Sequence, residues 1–439
     1  MRFVPAVAIV LALLPSATRG DGVDVTVPLV EKTLRFLQTS ALDPPSEAAM
    51  LRAGVIRLCG EEMSGPGCRI NGFKPPKKGV SGPDANRAWR HLLESTLAAS
   101  SLSDPDFDKV VFQRYVMDAM VQSLADPASF YVLPSVYRKI SSIPSDFVGF
   151  GLRVAPEEGA LRILAVHEGS PAWDAGLLHG EKITAVNGQG VDGVRRPIAL
   201  AAIWGADGEE IDLEVERAHG AKKKISIHYE PWRFDPFTVE RRGDIAIVRV
   251  RYFGQGLADA VRRQLIGGGM GIVLDLRDAG GGDEGEMLAV ADLFLGEGSV
   301  GAKQMRGDLG NRCWAARRGD EGESLDTPLA LVVNRGTSGL AEVIAMALRR
   351  HNRALLVGQP TAGMDTLETI RPFKDGSAIQ VTSTRLFGPS SASLAGGVLP
   401  HLKTKRSAVA DLAVKVLELA KGHDMESLIK AAHRAVDLP

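Results

Sequence analysis

A chain of 439 residues with 52 Lys+Arg against 53 Asp+Glu, a net charge of −1, has no electrostatic footprint for nucleic acid or an anionic membrane. Aromatic residues make up only 5%, which leaves little with which to stack bases along a strand. The length supports two or three domains with proper cores, and 48 glycines point to a mixed α/β protein rich in turns.

The N-terminus "MRFVPAVAIVLALLPSATRGDG" sets one basic residue, Arg2, ahead of an apolar run and then a small-residue segment. That order is the pattern of a secretory signal peptide over residues 1–20, and the run is too short to span a bilayer comfortably. No later segment reaches about 18 apolar residues, so the mature chain is expected to be soluble, without a transmembrane segment, and secreted or periplasmic.

Residues 21–146 carry helical periodicity in "VEKTLRFLQ", "ANRAWRHLLESTL" and "KVVFQRYVMDAMVQSL". A polar, Gly/Pro-bearing loop at 68–83 interrupts them, and Asp126-Pro127 closes the last helix, because the residue before proline avoids αR geometry. Cys59 and Cys68 flank "GEEMSGPG" and could form a disulfide in an oxidising compartment; two ordinary buried thiols are the alternative. Cys313 falls in a polar insertion further on. No His or Cys lies near the three cysteines at ligand spacing, so no metal is expected, and nothing calls for a cofactor.

Between residues 147 and 231 the texture changes to short strands and Gly turns: "GFGLRVAP", "ALRILAVH", "EKITAVNGQGV", "IDLEVERA", with Asn187-Gly188 as a hairpin turn. A short helix in "EGSPAWDAGL" lies between strands. The order resembles a PDZ domain. "FVGFGL" (Phe147, Val148, Gly149, Phe150, Gly151, Leu152) is similar to the carboxylate-binding loop, and "GSPAWDAGL" precedes "GEKITAVNG", with Glu181 where Asp is usual. A loop of exposed N–H groups can hold a terminal carboxylate while the next strand pairs with the peptide, and Gly149 and Gly151 permit the close approach.

Residues 232–405 alternate strands and helices: "GDIAIVRVRYF", "GLADAVRRQLI", "MGIVLDLRDAGGG", "EGEMLAVADLFL", "PLALVVN", "GLAEVIAMALRR" and "ALLVGQP". They end in a hairpin that turns at Lys374-Asp375-Gly376. Residues 406–439 read as two amphipathic helices broken at Gly422.

A PDZ module ahead of such a core resembles the carboxyl-terminal processing, or tail-specific, serine proteases. "LADPASFY" (124–131), "LDLRDAGGG" (274–282), "ADLFL" (291–295) and "NRALLVGQPTAGM" (352–364) carry the likeness. It implies an α/β multidomain protein with a ClpP/crotonase-like core, a Ser nucleophile and a partly buried Lys as base. Here the motif that should hold the nucleophile is "NRGTSGLAE" (334–342), which puts Gly339 at that position. The base position falls on Met364 and the auxiliary Gln position on Glu368. Neither glycine nor a thioether can do the chemistry.

Ser338 is one residue out of register, and a one-residue slip turns a side chain elsewhere. Lys374 lies in a solvated turn, and His351 sits at a helix end as a C-terminal cap. Gly281 and Gly282 match the loop that lends the family an oxyanion N–H, with Asp283 and Glu284 beside it as repelling carboxylates or as helix N-terminal acids. The expectation is an exported, catalytically dead homologue that binds protein C-termini or extended peptides, as an adaptor or a regulator of an active relative. The alternatives are a working endopeptidase with a rearranged site and, since the core also resembles retinoid-carrying repeats, an apolar small-molecule binder with Met364 in a greasier site.

Overall fold

The computed structural model describes residues 26–59, 77, 79–103, 109–141, 149–191, 196–203, 210–217, 220–228, 235–267, 269–306, 311–317, 327–404, 409–420, 422 and 424–436. The expected signal peptide, Cys68, Phe147 and Val148 lie outside them.

Four helices come first: α1 (Thr26–Ser40), α2 (Glu47–Cys59), α3 (Pro83–Ser103) and α4 (Lys109–Gln122). They bury Leu37, Met50, Leu51, Leu92, Met117 and Met120 in a cluster of their own. This region is not purely helical, as the sequence suggested. Strand β1 (Phe130–Val132), followed by α5 (Pro134–Ser141), pairs antiparallel with a strand of the core some 250 residues later, Phe130 opposite Gln380. Three buried residues are too short a run for periodicity to separate strand from helix.

The PDZ-like module is a sheet of order β2-β3-β4-β6-β7, with β5 off β4. Its strands are β2 (Leu152–Glu157), β3 (Ala160–Val166), β4 (Lys182–Val186), β5 (Gln189–Gly190), β6 (Ile211–Glu216) and β7 (Lys222–Ile227), with helices α6 (Pro171–Asp174) and α7 (Arg196–Ile203) between them. The sequence dictates α6 locally: Ser170 is its N-cap, accepting from the Trp173 amide at 3.3 Å, and Pro171 opens the first turn. Strand β2 is an edge of this sheet.

The core is a sheet of strands β8 (Phe237–Arg242), β9 (Ile245–Val250), β10 (Gly271–Asp275), β13 (Leu329–Val333), β14 (Leu355–Gly358) and β18 (Leu402–Lys403). Its order is β18-β14-β13-β10-β9-β8, parallel except for β8. Helices α8 (Leu257–Ile266), α9 (Glu284–Asp292) and α10 (Leu340–Arg350) contribute to one apolar cluster with residues of the sheet. Helices α11 (Val409–Leu419) and α12 (Met425–Val436) contribute to another, as a sheet buried on both faces requires. A second sheet, β1-β16-β11-β12 with β15 (Thr366–Pro372) and β17 (Ala392–Ser393) on β16 (Ala378–Gly388), leans against it. Its strands β11 (Glu297–Met305) and β12 (Arg312–Arg317) correct the reading of this region as a polar insertion. Cys313 lies on β12, exposed and free, in a strand whose burial alternates.

Candidate functional site

Three loops follow the C-terminal ends of the neighbouring parallel strands β10, β13 and β14, which is where open α/β sheets place their ligands. The middle one is the elbow 334–339. Asn334 Oδ1 accepts the amides of Gly336 at 3.0 Å, Thr337 at 3.1 Å and Asp278 at 2.9 Å, while its Nδ2 donates to Asp278 Oδ1 at 3.0 Å. Thr337 is fully buried, and its hydroxyl donates to the Leu276 carbonyl at 2.7 Å. It is a structural hydroxyl. Ser338 pairs with Gly280 as a parallel bridge and donates its amide to the Ala279 carbonyl at 2.9 Å, so the elbow and the glycine loop after β10 lie side by side.

Gly339 is the N-cap of α10 at φ 58, ψ −122. That is a strained strand-to-helix turn of the kind that presents a nucleophile, and glycine holds it without cost. A side chain at this position would point into open space.

One turn into the helix stands Glu342, completely buried. Its Oε1 accepts the Thr361 hydroxyl and the Gly363 amide at 2.7 Å; its Oε2 accepts the amides of Gly339 at 3.1 Å and Met364 at 2.8 Å. Burial raises its pKa, and the four donors oppose that rise. Gly339 and Met364, the positions expected for nucleophile and base, are thus held on one carboxylate oxygen. The Gly339 N–H, which a nucleophile would lend to its own oxyanion, is engaged by that oxygen.

Within the glycine loop, Gly282 bridges to Phe253, and a Cβ on it would come within 2.4 Å of the Phe253 nitrogen. Close packing alone therefore requires glycine there. Gly281 accepts from the Phe253 amide at 3.2 Å through its carbonyl. The neighbouring acids do not form the repelling pair offered as one reading. Asp283 caps α9, accepting the Glu286 amide at 3.0 Å, and Glu284 is paired with Lys303 of β11 at 2.6 and 2.8 Å. Lys303 sits on a strand that sequence periodicity missed, so its partnership with Glu284 was invisible there.

Glu368 lies on β15 beside a register shift. The residue keeps exposed surface, yet its carboxyl is pushed up to about 7, first by burial and then by the charge of Asp126. Lys374 is exposed in its turn, and His351 ends α10 with Nε2 at 2.8 Å from the Ser299 carbonyl.

From the PDZ-like module, Arg153 of β2 reaches the elbow and donates through Nη2 to the Gly336 carbonyl. Arg153 and the Ser338 hydroxyl both crowd the space where a Cβ on Gly280 would be. Its pKa is lowered to about 10 by burial, against the charges of Asp278 and Glu342, so the group beside Ser338 is a cation at neutral pH and no base. His167, at the end of β3, is pushed down to about 3 by burial and then by Arg153, Arg251 and Arg249. Arg249 of β9 reaches back to Glu168 at 3.0 Å. In the candidate carboxylate loop, Gly149 (φ 55) and Gly151 (φ 79) are left-handed and Phe150 is buried. The Phe150 carbonyl accepts the Ala172 amide at 3.0 Å and that of Gly151 the His167 amide at 2.9 Å.

Residues 244–404 match peptidase family S41, and residues 162–217 match a PDZ domain. A probable CtpA-like serine protease of Staphylococcus aureus (strain COL) is 28% identical over 303 residues, 68% of this chain and 60% of that protein. Another from Staphylococcus saprophyticus is 26% identical over 304 residues, 68% of this chain and 62% of its own length. The chain therefore spans about three fifths of these relatives. Among solved structures, a photosystem II D1 C-terminal processing protease superposes with a TM-score of 0.59 at 21% identity, covering 83% of this chain and 94% of that one. The S41 match, the PDZ match ahead of it and this shared fold agree on what the chain is similar to: the C-terminal processing proteases.

Proposed function

We infer that this protein is a catalytically inactive member of its family, whose PDZ-like module binds the free C-termini of proteins or extended peptides. One observation carries the loss of chemistry. The elbow and the base loop are both held on Glu342, in register, and the two positions that should bear a nucleophile and a base bear Gly339 and Met364. A hydrogen atom cannot attack a carbonyl, and a thioether takes no proton near neutral pH.

Binding is supported by the edge position of β2 immediately after a loop with two left-handed glycines. Such an edge pairs with an extended peptide through main-chain hydrogen bonds. An exported, adaptor-like role in the periplasm or outside the cell accords with the signal-like N-terminus and with the absence, among the described residues, of a helix long and apolar enough to cross a membrane. An active relative is the partner this reading favours.

Peptides ending in a free apolar carboxylate should bind, and amidated copies should bind at least tenfold more weakly, a loss on the order of 1.4 kcal/mol for the missing charge-assisted contacts. The same protein should leave those peptides uncut over hours. Equal binding of acid and amide, or a cleavage that Ser338→Ala abolishes, would overturn the reading.

A further inference from the structure

We propose that Pro156 ends the peptide ladder on β2, so that the groove takes main-chain hydrogen bonds only from the last few residues of a C-terminus. The inference rests on the peptide-binding reading above and deepens it.

The direction of each main-chain group on β2 follows from its pairing with β3. Gly151 accepts the His167 amide at 2.9 Å, so residue 151 faces β3. In an antiparallel ladder the facing alternates residue by residue. Arg153 lies opposite Ala165, Ala155 opposite Arg162, and Glu157 opposite Ala160, which closes the hairpin through Glu158-Gly159. The register shift between Arg153 and Val154 is taken up on β3, where Leu164 is the extra residue, so the alternation along β2 is unbroken. On the far side of β3, Ile163 donates to the Glu181 carbonyl and accepts the Gly180 amide, both at 2.8 Å. It therefore faces away from β2, as its place opposite Val154 requires.

Residues 152, 154 and 156 thus turn their main-chain groups to the open edge. Leu152 and Val154 each present an N–H and a C=O. Pro156 has no N–H and presents a carbonyl alone. An antiparallel peptide anchored by its carboxylate at the loop meets Leu152 first, then Val154, and then Pro156. The reciprocal pair of bonds is available at Val154 and fails two residues further along the peptide, where one peptide carbonyl finds no donor. Proline on an edge strand also blunts the edge against pairing with a longer strand. Specificity then concentrates in the terminal residues, and upstream sequence contributes little.

The test uses the mature full-length protein and two labelled peptides that share the same four C-terminal residues, one four and one eight residues long, read by fluorescence anisotropy. For the wild type, lengthening from four to eight residues should tighten binding less than threefold. In Pro156→Val the eight-residue peptide should gain roughly threefold to tenfold more than it does in the wild type, the yield of one added hydrogen bond, with four-residue binding unchanged. Unchanged four-residue binding also reports an intact groove, and Pro156→Ala repeats the measurement if valine disturbs it. A wild-type gain of threefold or more, or a variant that gains less than threefold over wild type, overturns the proposal while leaving peptide capture standing. If the free-acid peptides do not bind, or their amides bind equally well, the functional reading falls and this inference with it.

Discussion

Glu342 Oε2 accepts the Gly339 amide at 3.1 Å, and the same oxygen accepts the Met364 amide at 2.8 Å. A single buried carboxylate therefore keeps the elbow and the base loop in fixed relation, although Gly339 and Met364 themselves carry no reactive side chain. Replacing it leaves four converging donors with too few acceptors, since the amide of glutamine brings two hydrogens into a site built only for lone pairs. Glu342→Gln should cost about 2–4 kcal/mol, read as a shift in the denaturation midpoint. A change below about 0.5 kcal/mol would show that the loops hold their geometry without it.

Installing a Ser and a Lys at the two expected positions tests the proposed loss of chemistry. Gly339→Ser places its side chain in open space but costs about 1–3 kcal/mol for a left-handed backbone. Combined with Met364→Lys it should give slow hydrolysis of tail-bearing peptides, with each single variant silent, because nucleophile and base act as a unit. Glu284 is already occupied by Lys303, so Glu342, whose Oε2 accepts the Met364 amide, and Glu368, four residues on, are the acids expected to hold the introduced lysine charged. Adding Glu368→Gln should raise the rate of the double variant. A triple variant that folds and binds peptide without any cleavage would show that the core has drifted beyond a catalytic geometry.

Stability should respond to pH through two buried groups of opposite sign. His167 is lowered to about 3, so its neutral form is favoured in the folded protein, and the stability it contributes above pH 6.5 is lost as pH falls through 6.5 toward 3. Asp118, on α4, is raised to about 6 by burial, against Arg57 and the Gln122 side-chain donor. Its contribution is present below about 4 and is lost as pH rises from there through 6. Between about pH 4 and 6 the two offset one another. Asp118→Asn removes one side of this balance. Its stability relative to wild type should rise with pH at about 1.4 kcal/mol per unit across that window, measured by denaturant titration at several pH values. Parallel wild-type and variant curves would contradict this assignment.

Cys59, buried at the end of α2, is disulfide-bonded, while Cys313 is free. The expected partner is Cys68. A Cys59→Ser, Cys68→Ser variant should lose about 2–3 kcal/mol, and intact mass with and without reductant should differ by two hydrogens only in the wild type. A fully reduced mass from oxidising conditions would refute the bridge.

Local chemistry made much of this protein legible in advance. Ser170 and Pro171 start their helix, Asn187-Gly188 turns its hairpin, and Lys374-Asp375-Gly376 turns the last one, because caps and turns are set by the residues that form them. The expectation that Gly339 and Met364 stand at the nucleophile and base positions comes from the same kind of local reading, since a motif of fixed length leaves no freedom about which residue stands where. Glu342 was on the page as well, three residues after an N-cap, a spacing that signals a side chain returning to the cap amide. What it binds could not be read, since Thr361, Gly363 and Met364 arrive only when β14 docks beside β13. Arg153 reaches a carbonyl 183 residues away, Lys303 finds Glu284 across two elements, and β1 pairs with a strand some 250 residues downstream. Such contacts carry no local pattern, because their energy comes from burial and charge that exist only once the layers have packed. The sequence by itself determined the caps, the turns and which residues stand at each motif position; the tertiary structure decided which carboxylates are paired and how the edge strand β2 meets the core.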